Sequence, residues 1–171
     1  MNEIILEKST IHGLKSNTNV FFDTPRDEKS RQVVVSDIKY IEVVNNKELQ
    51  VRAKTRTKSN TYDTSIVFTN VTFLEKDDKR SKTQVFGANG QYYYLVPIKK
   101  NITDVKVACT CLDFYYMFSI WNHRDGSLDG DAPKPYIKTT DRPLRNPQRV
   151  EGICKHILRL SDELIRVGIL K

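Results

Sequence analysis

Through most of its first half the chain alternates apolar and polar residues with a period of two. Gln32-Val-Val-Val-Ser36 and Lys39-Tyr-Ile-Glu-Val-Val44 are rich in β-branched and aromatic residues, and Asn45-Asn46 supplies a turn after the second run. Leu49-Gln-Val-Arg-Ala-Lys-Thr-Arg-Thr57 then alternates, Ser59-Asn60 turns again, and Tyr62 to Phe73 is another β-rich stretch. Strands joined by short polar turns predict an antiparallel meander. Ahead of it, residues 1–30 are mixed, with weak strand signals at Ile4–Leu6 and Val20–Phe22 and a turn or loop at Thr24-Pro-Arg-Asp-Glu28.

The charged stretch Glu75–Lys82 marks a soft boundary between a β-rich region, 1–81, and a second region, 82–171. Beyond it, Ala88-Asn89-Gly90 predicts a hairpin tip, since Asn-Gly adopts the turn that hairpins need. Pro97 and Asn101 close the strand that starts at Gln91, and the alternation of Asp104-Val-Lys-Val-Ala108 predicts a strand running into Cys109. Asp113 suits a helix N-cap. Phe114, Met117, Phe118 and Trp121 follow at helical spacing, so residues 114–122 are read as a short helix with its aromatic stripe in the core. Residues 123–151 hold two glycines, four prolines and few apolar residues, and predict a long exposed arm. Ile153, Ile157, Leu160, Leu164 and Ile165 form the stripe of a final helix, with Gly168 as its stop.

A chain of 171 residues can bury a core of its own. Its net charge of +7 comes from two segments of +4 each, residues 43–61 and 132–149, with the remainder nearly balanced. Concentrated positive charge favours phosphate or another acidic surface, and it also serves as a solvated face. Candidate contacts to nucleic acid or a partner are Arg52, Lys54, Arg56 and Lys58 in the first segment, and Lys134, Lys138, Arg142, Arg145 and Arg149 in the second. On a strand, Arg52, Lys54, Arg56 and Lys58 line one face about 6.6 Å apart, close to the spacing of successive phosphates along one nucleic-acid strand. The other reading is a strand made basic to prevent edge-to-edge pairing. No apolar run reaches transmembrane length and no export signal is recognised, which points away from a membrane and toward synthesis in a cytoplasm.

The chemistry is concentrated in Cys109-Thr-Cys111 and Cys154-Lys-His156, which use all three cysteines and one of three histidines. On a strand, residues two apart face the same way, so both sulfurs of the first pair point together. Cys154 falls at the start of the last helix, where the dipole favours a thiolate. Three thiolates and an imidazole suit tetrahedral zinc. The alternative is ordinary buried cysteines with a surface histidine. A catalytic Cys154/His156 dyad leaves the first pair unexplained, and an odd cysteine count does not fit a disulfide framework. No P-loop, G-x-S-x-G, H-E-x-x-H or paired-carboxylate motif occurs, so no enzyme is expected. With four protein ligands the metal has no open position and is structural. His123, near the first pair, is read as a surface residue.

The CxC…CxH pattern resembles the SWIM-type zinc finger. Val85-Phe-Gly-Ala-Asn-Gly-Gln-Tyr-Tyr-Tyr-Leu-Val96 resembles the hairpin before the ligand strand of that family, and Cys154-Lys-His-Ile-Leu-Arg-Leu160 its CKH-led helix. The 42 residues between Cys111 and Cys154 make a longer linker than the family's. Within that linker, Cys111-Leu-Asp-Phe-Tyr-Tyr-Met-Phe118 and Arg145-Asn-Pro-Gln-Arg-Val-Glu-Gly-Ile-Cys-Lys-His156 resemble tailed-bacteriophage virion proteins. The resemblance implies an α+β fold: an antiparallel β-rich N-terminal half and a C-terminal zinc-stapled ββα SWIM-like unit. It implies a non-enzymatic structural protein of a virion assembled in the host cytoplasm. Its partners are then other structural proteins or copies of itself, with DNA contact as a further expectation. The alternative is a SWIM-type nucleic-acid-binding protein.

Overall fold

The computed structural model describes residues 9–23, 25–43, 47–76, 79, 83–86, 89–135 and 137–171. In chain order its elements are α1 (Ile11–Phe21), α2 (Arg26–Ser30), β1 (Val34–Val43), β2 (Glu48–Arg56), β3 (Thr61–Phe68), β4 (Phe73–Leu74), β5 (Thr83–Phe86), β6 (Tyr92–Leu95), β7 (Val105–Cys109), α3 (Leu112–Met117), α4 (Ser119–Asp125) and α5 (Lys155–Arg166). The fold is mixed α+β. Its main sheet has the order β1-β2-β3-β7, with every neighbour antiparallel. The period-two pattern explains the layering. Leu49, Val51, Ala53 and Thr55 of β2 are buried while Arg52, Lys54 and Arg56 between them are exposed. The apolar stripe of α5, including Ile157, Leu160 and Leu164, lies against all four strands and closes the core.

A second antiparallel sheet has the order β4-β6-β5. Its β5–β6 hairpin turns at Asn89-Gly90, where Gly90 takes a φ of +80° that a side chain would oppose. On β6, Tyr93 and Leu95 are buried and Tyr92 is exposed. The strand β7, which ends at Cys109, pairs with β3, so one hydrophobic core spans residues on both sides of position 82.

Several local expectations are corrected. Val20 and Phe21 belong to the end of α1, not to a strand. Thr10 caps that helix by accepting from the Gly13 N–H, and Ile11, Leu14 and Thr18 face the core at helical spacing, which overrides the β preference of two exposed residues. The turn or loop expected at residues 24–28 contains a short helix over residues 26–30, with Arg26 buried against the rings of Phe22 and Phe118, 5.2 and 5.3 Å from their centroids. Both β runs contribute to one strand, Val34–Val43, with a bulge at Asp37, whose φ is +51°. The stretch from Tyr62 to Phe73 is broken after Phe68, where Asn70 takes a φ of +56°. The readings at Ile4–Leu6, Asn45-Asn46 and Ala88 lie outside the described residues, as does much of the charged break at 75–82.

Candidate metal centre

Cys109 ends β7 with its side chain on the buried face, opposite Thr64 of β3. The ladder continues one residue further, with the Thr110 N–H donating to the Asp63 carbonyl at 3.0 Å. Thr110 therefore faces solvent and Cys111 faces in again. Cys111 is also the N-cap of α3: its Sγ accepts from the Phe114 N–H at 3.3 Å. Asp113, read from sequence as the cap, sits inside the first turn. The expected single helix is divided at Phe118 into α3 and α4. Of the expected aromatic stripe, Phe114, Met117 and Phe118 are buried in the core, whereas Trp121 is only partly buried and carries Arg124 over its ring at 4.8 Å.

The second pair is placed by tertiary hydrogen bonds. The Asn122 side chain donates to the Gly152 carbonyl and accepts from the Gly152 N–H, both at 3.0 Å. The Ile153 N–H donates to Thr18 Oγ1 at 2.9 Å. Held from α4 and α1, the backbone delivers Cys154 as the N-cap of α5. Its side chain makes no capping bond, which leaves the sulfur turned toward the cluster. His156 follows in the first turn, with Nδ1 3.8 Å from Cys154 Sγ and its ring 4.5 Å from that of Tyr62.

The four donor atoms of Cys109, Cys111, Cys154 and His156 lie within 4.8 Å of one another, and all four residues are buried. This cluster could hold a metal ion. Its electrostatics support that capacity. The Cys111 and Cys154 thiols hydrogen-bond toward Cys109 and, with the Cys111 N–H and the Thr64 hydroxyl, outweigh burial and hold the Cys109 thiol down at about 4. Cys154 is driven the other way, well above the ordinary thiol value, by complete burial and then by the two neighbouring sulfurs. Three thiolates cannot coexist in this space without a compensating cation. His156 Nε2 is buried and makes no hydrogen bond among the described residues, while Nδ1 is the nitrogen facing sulfur.

Thr64 and Thr55 are absent from the sequence reading of the site. Thr64 Oγ1 donates to Cys109 Sγ at 3.7 Å and lies 2.8 Å from Thr55 Oγ1, and both residues are almost fully buried. Their role depends on strand register, which brings Thr64 opposite Cys109 and Thr55 opposite Tyr62. His123 is exposed on the last turn of α4 and stays outside the cluster.

The arm leaves the core later than expected, after Gly126 ends α4 with a φ of +82°. Residues 127–129 first run beside β7: the Val107 N–H donates to the Ser127 carbonyl at 2.8 Å, and the Asp129 N–H to the Val107 carbonyl at 3.0 Å. The return is fixed by buried Asn146, whose Nδ2 donates to the Met117 and Val150 carbonyls, each at 2.7 Å. Between these anchors Lys134, Lys138, Arg142 and Arg145 are exposed, as is Arg149 just beyond. The Arg145 guanidinium lies over the Tyr116 ring at 5.6 Å. Arg52, Lys54 and Arg56 are exposed on the face of the sheet opposite the Cys/His cluster, whereas Lys58, expected to continue their row, lies in a bend beyond the end of β2 and does not belong to that face. Among the described residues no helix is long and apolar enough to cross a membrane. In comparisons with known proteins, no family model, no curated protein and no solved structure matches the chain.

Proposed function

We propose that this chain is a zinc-stapled, non-enzymatic interaction protein that holds its exposed arm in a fixed place within a larger protein assembly. The observation that carries the reading is the convergence of three buried sulfurs and one imidazole nitrogen from the end of β7 and the starts of α3 and α5. Three thiolates and an imidazole are the donor set of structural zinc, softer than calcium or magnesium accept. Ordinary Zn–S and Zn–N bonds place tetrahedral donors about 3.6 Å apart, near the 3.8 Å between Cys154 Sγ and His156 Nδ1. Four protein donors leave no position for water or substrate, which favours a staple over a catalyst. The β5–β6 hairpin, β7 and α5 are the parts that a SWIM-like unit requires, and we assign them to one.

The four donors flank the arm in sequence, and the arm is held to the core at residues 127–129 and at Asn146. Such rigid anchoring of an exposed, basic, irregular segment suits contact with a neighbouring subunit. The likeness of the segments around Cys111 and Cys154 to tailed-phage virion proteins leads us to propose such a particle as the assembly. The test is mass spectrometry of purified particles, made with the full chain and with a chain whose residues 131–144 are replaced by a short Gly/Ser linker. The reading expects the full chain in the particle and the shortened chain, still folded and metal-loaded, left free. Absence of both from the particle contradicts the assembly role, and equal incorporation contradicts the role of the arm.

A further inference from the structure

The outer face of the main sheet carries cations that its own fold does not need. β2 is the second strand in the order β1-β2-β3-β7 and is hydrogen-bonded on both sides. Its basic residues therefore cannot serve to keep an open edge from pairing with another chain, which is the main structural use of charge on a strand. Their placement also has a cost. Lys39 of β1 stands directly across from Arg52, and Arg52, Lys54 and Arg56 follow at alternate positions of one strand. Like charges at directly opposed positions repel. Of the cations on this face, only Lys54 has an anionic partner among the described residues, Asp63 at 2.5 Å. Lys106 on β7 extends the positive surface beyond β3.

We propose that this face binds the phosphate backbone of duplex nucleic acid. An external polyanion turns the repulsion among Lys39, Arg52, Arg56 and Lys106 into a gain through release of its counterions. A duplex fits better than a single strand because the face has no stacking platform. The two tyrosines of the sheet, Tyr40 and Tyr62, fall in the inward rows, opposite buried Val51 and Thr55. Binding then rests on phosphates alone and is independent of base sequence. The proposal uses neither the metal nor the arm, so it stands or falls separately from the assembly reading.

The experiment is fluorescence anisotropy of a labelled duplex with the full-length, metal-loaded protein across a salt series. Four unpaired cations predict a log–log slope on the order of −4. Replacing Lys39, Arg52 and Arg56 by Gln should flatten that slope by about 3 and weaken binding at least ~10-fold at low salt. The charge-keeping pair Arg52→Lys and Arg56→Lys should retain the slope, which separates loss of charge from loss of fold. Lys138→Gln with Arg142→Gln on the arm should leave affinity within about 2-fold, since their charge lies outside the face. No duplex binding at low salt overturns the proposal, and so does an unchanged slope in the triple-Gln protein. Equal or tighter binding of an unstructured single strand, of polyglutamate or of anionic lipid vesicles also overturns it, by assigning the face to a different polyanion.

Discussion

Cys109 does not face its neighbouring sulfurs alone. The hydroxyl of Thr64 points at it from the next strand, and Thr55 stands 2.8 Å behind Thr64. A hydrogen bond donated to a ligating sulfur removes some of its excess charge and fixes its orientation, as partners of metal ligands commonly do. Thr64→Val keeps the shape of the side chain and deletes the donor. It should weaken zinc binding about 10- to 100-fold, with the fold retained, whereas Thr64→Ser should stay near the parent. Competition against a chelator of known affinity reads the difference, and equal affinity of the Val and Thr proteins would show that the contact does nothing. Acidification acts on the same atoms. Ligation requires deprotonated thiols, so metal affinity falls as pH falls.

At the scale of elements, the approach to α5 is the tightest point in the chain. A Cβ on Gly152 would fall 2.5 Å from Phe118 Cε1 and 2.8 Å from Thr18 Oγ1. No side chain fits there without moving the Phe118 ring or Thr18 of α1, and α1 and α4 also hydrogen-bond this segment. Gly152→Ala should therefore cost about 1–3 kcal/mol, the usual range for an overpacked core. Thermal melting tests this, and an unchanged midpoint would contradict it. The sequence made the regular elements legible in proportion to their burial. β2 alternates because one of its faces is buried along much of its length, and α5 repeats at helical spacing because it covers the sheet. The helix α1 was hidden because it buries only Ile11, Leu14 and Thr18 and ends in exposed Val20 and Phe21, which read as strand. The four candidate ligands were legible as two local pairs. Thr64, Asn122 and Gly152 were not, because each acts across 30 or more residues of chain. No local pattern encodes that register.

On the scale of the whole molecule, the cluster connects parts that are far apart in the chain. The end of β7 belongs to the main sheet through β3, α3 begins the path toward the arm, and α5 closes the core. A metal held there ties the sheet to its covering helix. Binding free energy at such sites is folding free energy, on the order of 10–16 kcal/mol in zinc-finger peptides. That is comparable with the entire stability of an ordinary domain, roughly 5–15 kcal/mol. Loss of one ligand should thus disrupt the C-terminal half, even though β1, β2 and β3 pair in sequence order without it. The most direct measurement is elemental analysis of protein purified without added metal, beside a Cys154→Ser variant. The account predicts one zinc per chain in the parent, and in the variant loss of the metal with a markedly lower melting temperature. Less than about 0.2 zinc per chain in the parent, with its three thiols still reduced, would contradict it.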